Sequence, residues 1–122
     1  MNFKLIPNKF EYLSWPEIKT ISRNKRSTII WPFGAIEQHG PHLPLATDSI
    51  FVDEIICEVL ELIPSNIPIK KLPTQCMGFS PEHKGFDGTI SLSSNLMTLL
   101  VKEVGTQLAE MGFKRLILIN AH

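Results

Sequence analysis

The side chains best suited to chemistry lie in the stretch from Phe33 to Asp48, which reads Phe-Gly-Ala-Ile-Glu-Gln-His-Gly-Pro-His-Leu-Pro-Leu-Ala-Thr-Asp. Glu37 and His39 are two apart, and in an extended loop such positions point the same way. A carboxylate and an imidazole on one side suit Zn²⁺, Mn²⁺ or Fe²⁺ rather than soft thiolate chemistry. Asp48 can bridge two ions through its two oxygens. Such a pair, about 3.5–4 Å apart, activates a water and polarises a carbonyl. Gly40-Pro41 and Leu43-Pro44 stiffen the loop and pre-organise its ligands. A competing reading stays open on spacing alone: the histidines bond loop carbonyls, and Asp48 only caps the next helix.

The elements that position this loop follow from pattern. Ser14-Trp15-Pro16-Glu17 is a helix-start signal, predicting a helix from Trp15 to about Ser22 with Trp15 and Ile18 buried. Residues 1–13 form a lead-in. Thr28 to Phe33 is β-branched and aromatic, a strand covered on both faces, with Pro32 placed at its end. Asp48 is placed to cap a helix from Ser49 to about Ile63. Its stripe is Phe51, Ile55, Val59 and Leu62, widened by Val52, Ile56, Leu60 and Ile63. A weaker strand spans Ile67 to about Thr74, broken by Pro68 and Pro73. Gln75 to Thr89 is a long loop, and loops of that length are usually functional. Ser93 or Ser94 caps a third helix to about Met111, with Leu96, Leu100, Val104 and Leu108 as its spine and Gly112 as its C-terminal cap. Lys114 to Asn120 is the third strand.

Helices alternating with strands imply an α/β fold with a parallel sheet. Loops that carry ligands in such sheets gather at the carboxyl ends of the strands. Glu37, His39 and Asp48 follow the first strand and His122 follows the third, so the four converge on one edge.

Composition narrows the function class. Twelve basic residues balance twelve acidic ones, which argues against an electrostatic nucleic-acid binder. Cys57 falls in a helical pattern and reads as a buried thiol; Cys76 lies in a loop, and the two make no disulfide framework. A reducing cytoplasm fits, there is no signal-peptide layout, and no apolar run reaches the ~18 residues of a membrane span. By length the chain is one domain.

Glu37-Gln38-His39-Gly40-Pro41-His42-Leu43-Pro44-Leu45 followed by Thr47-Asp48 resembles the signature of the creatininase (creatinine amidohydrolase) family. Gly78-Phe79-Ser80-Pro81-Glu82-His83, with Phe86-Asp87-Gly88-Thr89 and Ser91-Leu92, resembles that family's second signature. Ile119-Asn120-Ala121-His122 resembles the start of a third. Asp87 stands where proline is frequent and Ala121 where glycine is usual.

The resemblance implies a three-layer αβα fold with a mainly parallel sheet. It implies that Glu37 and His122 bind one divalent ion, zinc first and manganese or iron otherwise. His39 binds a second ion and Asp48 bridges the two. A bridging water then attacks the carbon of an amide, often cyclic, or of a formamide. Ser80, Glu82 and His83 line the substrate side, and His42 orients the ligands without binding an ion itself. Members act on small amides or on a peptide and are commonly homohexamers.

The third signature stops at His122, so residues 1–122 are expected to form a single, incomplete creatininase-like domain with little activity alone. The strand Leu116 to Ile119 wants cover on both faces, which predicts self-association or a partner that supplies the missing half. Two other readings compete. One is a non-catalytic remnant acting as an assembly subunit. The other is a flavodoxin-like module without metal, disfavoured because no glycine-rich phosphate turn follows the first strand.

Overall fold

A computed structural model describes residues 8–122. The first part of the expected lead-in, residues 1–7, lies outside the described residues. The rest of it pairs Lys9 with Lys71 and forms a short 3-10 turn at Phe10–Tyr12.

Three helices and three strands then alternate: α1 (Trp15–Ser22), β1 (Thr28–Phe33), α2 (Thr47–Leu62), β2 (Ile69–Lys71), α3 (Ser94–Met111) and β3 (Arg115–Asn120). The sheet runs β2-β1-β3 and every pairing is parallel. β1 lies in the middle, with Thr28 opposite both Ile69 and Arg115, and all six of its residues are buried. That explains its near-continuous apolar sequence.

Alternation along β1 divides the core between two faces. Ile29, Trp31 and Phe33 pack with Ile18 of α1 and Leu108 of α3, while Ile30 packs with Val52, Ile56 and Leu60 of α2. The layers are therefore α1 and α3, the sheet, and α2. Each of these buried aliphatic or aromatic side chains contributes on the order of 1.5–3 kcal/mol.

The helix boundaries have local causes. The Glu17 carboxylate accepts from the Ser14 N–H at 2.7 Å and from its hydroxyl at 2.6 Å, closing the start of α1. Ser93 Oγ accepts from the Leu96 N–H at 3.1 Å, so Ser93 is the α3 cap. Gly112 ends α3 at φ +108°, a left-handed conformation that a Cβ disfavours.

Several expectations are corrected. Trp15 is 76% exposed, and only Ile18 of that predicted pair is buried. The α2 stripe is displaced: Phe51, Ile55, Val59 and Leu62 are exposed, while Val52, Ile56 and Leu60 face the sheet. Both stripes are apolar at helical spacing, so periodicity alone does not choose between them. Leu96 of α3 is exposed as well. α2 begins two residues early, at Thr47 with Ala46 before it, so Asp48 lies in the first turn and is not the cap. Pro68 and Pro73 shorten β2 to three residues.

Pro32 lies one residue inside β1, not at its end. Its carbonyl accepts from the Gln75 N–H at 2.9 Å. The N–H that proline lacks falls on the same side, where β2 has already ended, so no ladder bond is lost. Cys57 is only partly buried and Cys76 is exposed. No helix among the described residues is long and apolar enough to cross a membrane.

Candidate metal centre

The carboxyl ends of β1 and β3 open onto one cleft of about 460 Å³, lined by Glu37, Gln38, His39, Gly40, Asp48, His83, Ala121 and His122. Four of the expected site residues, Glu37, His39, Asp48 and His122, are thus brought together from three places in the chain. Glu37 and His39 stand in the loop after β1. Asp48 rides in the first turn of α2, and His122 follows β3.

α2 is seated by its own N-terminal turn. The Ser49 hydroxyl donates to the Ala35 carbonyl at 3.1 Å and reaches the Cys76 carbonyl at 3.4 Å. A Cβ on Gly34 would overlap the Ser49 side chain and backbone, so only glycine lets the helix come this close to β1. One turn on, Asp53 accepts from Lys71 Nζ at 2.7 Å and from the Thr74 hydroxyl at 2.6 Å. The Lys71 side chain is 2% exposed, so this pair ties α2 to β2 inside the molecule. Burial pushes the Asp53 carboxyl up, but Lys71 and Thr74 outweigh it and hold its pKa below the ordinary range.

Glu37 is 1% exposed. Its Oε1 lies 2.8 Å from His122 Nδ1 and 3.9 Å from His83 Nε2. Asp48 Oδ1 lies 3.3 Å from His39 Nε2, and Asp48 Oδ2 lies 3.6 Å from His122 Nδ1. Glu37 Oε2 and Asp48 Oδ2 are both buried without a hydrogen-bond partner. Two facing carboxylates with orphaned oxygens are costly to bury unless a cation or a shared proton relieves them.

The electrostatics carry that signature. Burial and the neighbouring Glu37 push Asp48 up, against the pull of His39. Burial also raises Glu37, but polar contacts with Ser80, His122 and Asp48 bring it below the ordinary range. The hydrogen bond and charge of Glu37 raise His122. The Glu37 carbonyl, helped by Asp48, raises His39.

The donor set fits a divalent ion. Glu37, His39 and Asp48 each offer a ligand atom within 4.8 Å of the others. His39 Nδ1 donates to the Glu37 carbonyl at 3.1 Å, which leaves the Nε2 lone pair facing Asp48. A carbonyl holding one ring nitrogen while the other faces ligands is the usual support for a metal-binding histidine.

Glu37, Glu82 and His83 make a second grouping of possible ligands. Of the substrate-side residues, Ser80 is buried beside Glu37, His83 lines the cleft, and Glu82 is exposed in a 3-10 turn at Pro81–His83. His42 is exposed and is not among the residues lining the cleft. Sequence reasoning passed over Gln38, whose side chain bonds both Gly40 and His83. It also passed over the Lys71–Asp53 pair. Gln38 is hard to see because, in an extended loop, it would point away from its neighbours Glu37 and His39.

The family model for creatinine amidohydrolase matches residues 11–122. The chain belongs to the creatininase family. It is 37% identical over 101 residues to the mycofactocin precursor peptide peptidase of Mycobacterium tuberculosis (strain ATCC 25618 / H37Rv), covering 78% of this chain and 40% of that protein. It is 29% identical over 115 residues to the creatinine amidohydrolase of Pseudomonas putida, covering 90% of this chain and 43% of that protein. A manganese creatininase structure superposes with a TM-score of 0.85 at 28% identity, over 94% of this chain and 45% of the other. A mutant creatininase of the Zn–Zn type gives 0.82 at 28% identity, over 93% and 44%. The chain thus spans roughly two fifths of the curated relatives it matches. The three-layer fold expected from sequence is the fold of these neighbours.

Proposed function

We propose that residues 1–122 form one domain of a metal-dependent amidohydrolase that cleaves the C–N bond of a small cyclic amide or formamide. The observation that carries this is the pair of orphaned oxygens on Glu37 and Asp48, buried between His39 and His122. Glu37, His39, Asp48 and His122 would hold the ion, with zinc preferred for this donor set and manganese or iron as alternatives. The metals named for the similar creatininases, manganese and zinc, support that choice. The chemistry such an ion supplies when bound is Lewis acidity and a water made acidic near neutral pH.

The chain's own residues do the rest. Glu37 and Asp48 set negative charge at the bottom of the cleft. The Glu37 carbonyl orients the His39 ring. His83 lines the cleft on its substrate side, with Ser80 buried beside Glu37 and Glu82 in the exposed turn before it, and the cleft is open enough for a small amide to enter.

β3 stands at an edge of the sheet with Ile117 and Leu118 exposed. In solution a second copy, or polypeptide equivalent to the rest of the relatives, covers that edge. The cytoplasm is the proposed compartment. The test is metal content by mass spectrometry on the chain purified with zinc or manganese. Bound ion in the wild type and loss in Glu37→Gln and Asp48→Asn is the expected result. No ion in the wild type would favour the reading as a non-catalytic assembly subunit.

A further inference from the structure

His83 stands at the rim of the cleft with its side chain 23% exposed. The hydrogen-bond chain that reaches it settles which nitrogen carries the proton. The Gly40 backbone N–H can only donate, and it donates to Gln38 Oε1 at 2.9 Å. That fixes the Gln38 amide: the other terminal atom is Nε2, a donor with no lone pair to offer. Gln38 Nε2 lies 2.9 Å from His83 Nδ1, so Nδ1 must accept. A neutral imidazole that accepts at Nδ1 carries its proton on Nε2.

His83 Nε2 lies 3.9 Å from Glu37 Oε1, too far for a hydrogen bond. No hydrogen bond from this N–H is found among the described residues. The loop that carries it is stitched in place. Thr89 Oγ1 accepts from the Gln38 N–H at 3.1 Å, Ile90 N–H donates to the Ile36 carbonyl at 2.9 Å, and Ser91 Oγ accepts from the Ser80 N–H at 2.8 Å.

We infer that His83 is a hydrogen-bond donor, through Nε2–H, to the carbonyl oxygen of the substrate, and that Gln38 is the positioning residue that fixes its tautomer. This rests on the amidohydrolase reading for the nature of the acceptor. It also divides the two candidate ligand groups. His39 turns a lone pair toward Asp48 and can take an ion; His83 turns a proton toward the cleft and cannot ligate in this tautomer. The grouping of Glu37, Glu82 and His83 is therefore a substrate contact and not a second metal site.

Long-range ¹H–¹⁵N correlation of the ring nitrogens tests this on the full chain at about pH 8, above the ordinary imidazole range, with His83→Phe assigning the signals. The expected wild-type pattern is an unprotonated Nδ1 and a protonated Nε2. Gln38→Glu keeps the acceptor for Gly40 but reverses the polarity at His83. It should invert the pattern, with loss of the Nε2–H correlation, and should make the ring responsive to zinc. Gln38→Met, which removes both groups, should give a mixture of tautomers and covers the case in which the glutamate variant folds poorly. Excess N-methylacetamide should shift the wild-type Hε2 downfield and leave Gln38→Glu unmoved. A protonated Nδ1 in the wild type, a pattern indifferent to Gln38→Glu, or an Hε2 indifferent to the amide would overturn the inference. Metal content is a separate readout, so failure of the metal reading leaves the tautomer result standing, and the reverse.

Discussion

His39 and His83 both line one cleft, and they are held by different means. His39 bonds a backbone carbonyl of its own loop and looks onto Asp48, which is carried by a helix. That helix is seated by Ser49 just past the end of β1 and by Asp53 on the buried Lys71 of β2. His83 hangs in a loop held by hydrogen bonds among Gln38, Gly40, Thr89 and Ser91. One wall rests on regular secondary structure and an ion pair to a buried lysine; the other rests on loop contacts. The difference suits two tasks. A metal site needs carboxylates kept close against their repulsion, which requires a stiff mount. A substrate donor needs its proton pointed correctly, which a short chain of hydrogen bonds achieves.

The largest expected effect comes from cutting the mount of the His39 wall. Asp53→Ala leaves the buried Lys71 charge with only the Leu72 carbonyl and should lower unfolding stability by about 3 kcal/mol in urea titration, the low end for breaking a buried pair. The same carboxyl has its pKa held below the ordinary value. The unfolded chain therefore takes up that proton at higher pH than the folded one. Its contribution is present above the unfolded carboxyl value and is lost as pH falls through the folded one. Stability measured from pH 6 downward should accordingly fall less steeply in Asp53→Asn than in the wild type.

Next comes the comparison itself. His39→Ala should weaken zinc binding by more than the ~10–100-fold typical of a supporting group. His83→Ala should change it by less than ~10-fold, judged by chelator competition. Equal losses would erase the distinction between ligand and donor.

A smaller effect is expected from Gly34→Ala, whose methyl meets Ser49 at the seat of α2. Overpacking of this kind costs about 1–3 kcal/mol, and zinc affinity should fall with stability. Smallest is Thr89→Val on the His83 wall. It deletes the acceptor for the Gln38 N–H and should cost about 1 kcal/mol, leaving zinc affinity within ~3-fold of wild type. A drop in zinc affinity as large as that of Gly34→Ala would show that the two walls are not independent.

Much of the site is legible without coordinates because the family-like motifs are local and the α/β alternation sends loop residues to one edge. The three strands and three helices were all anticipated, since each has a local cause in caps, prolines or apolar runs. What was misread is non-local. The two apolar stripes of α2 have equal helical spacing, and only the position of β1 and β2 decides that Val52, Ile56 and Leu60 go inside. Trp15 is apolar by type, yet its ring is left largely exposed, with Lys19 over it.

From the residues alone came the donor types of Glu37, His39 and Asp48 that suit a metal ion, the alternating order of elements and the family to which the chain belongs. Side-chain type and sequence spacing suffice for those. The tertiary structure alone decided that Lys71 is buried against Asp53, that Asp48 sits inside a helix turn and does not cap it, and that Gln38 sets the proton on His83. Each depends on contacts between residues far apart in the chain, whose partners are chosen by packing and hydrogen-bond geometry and leave no mark in local periodicity.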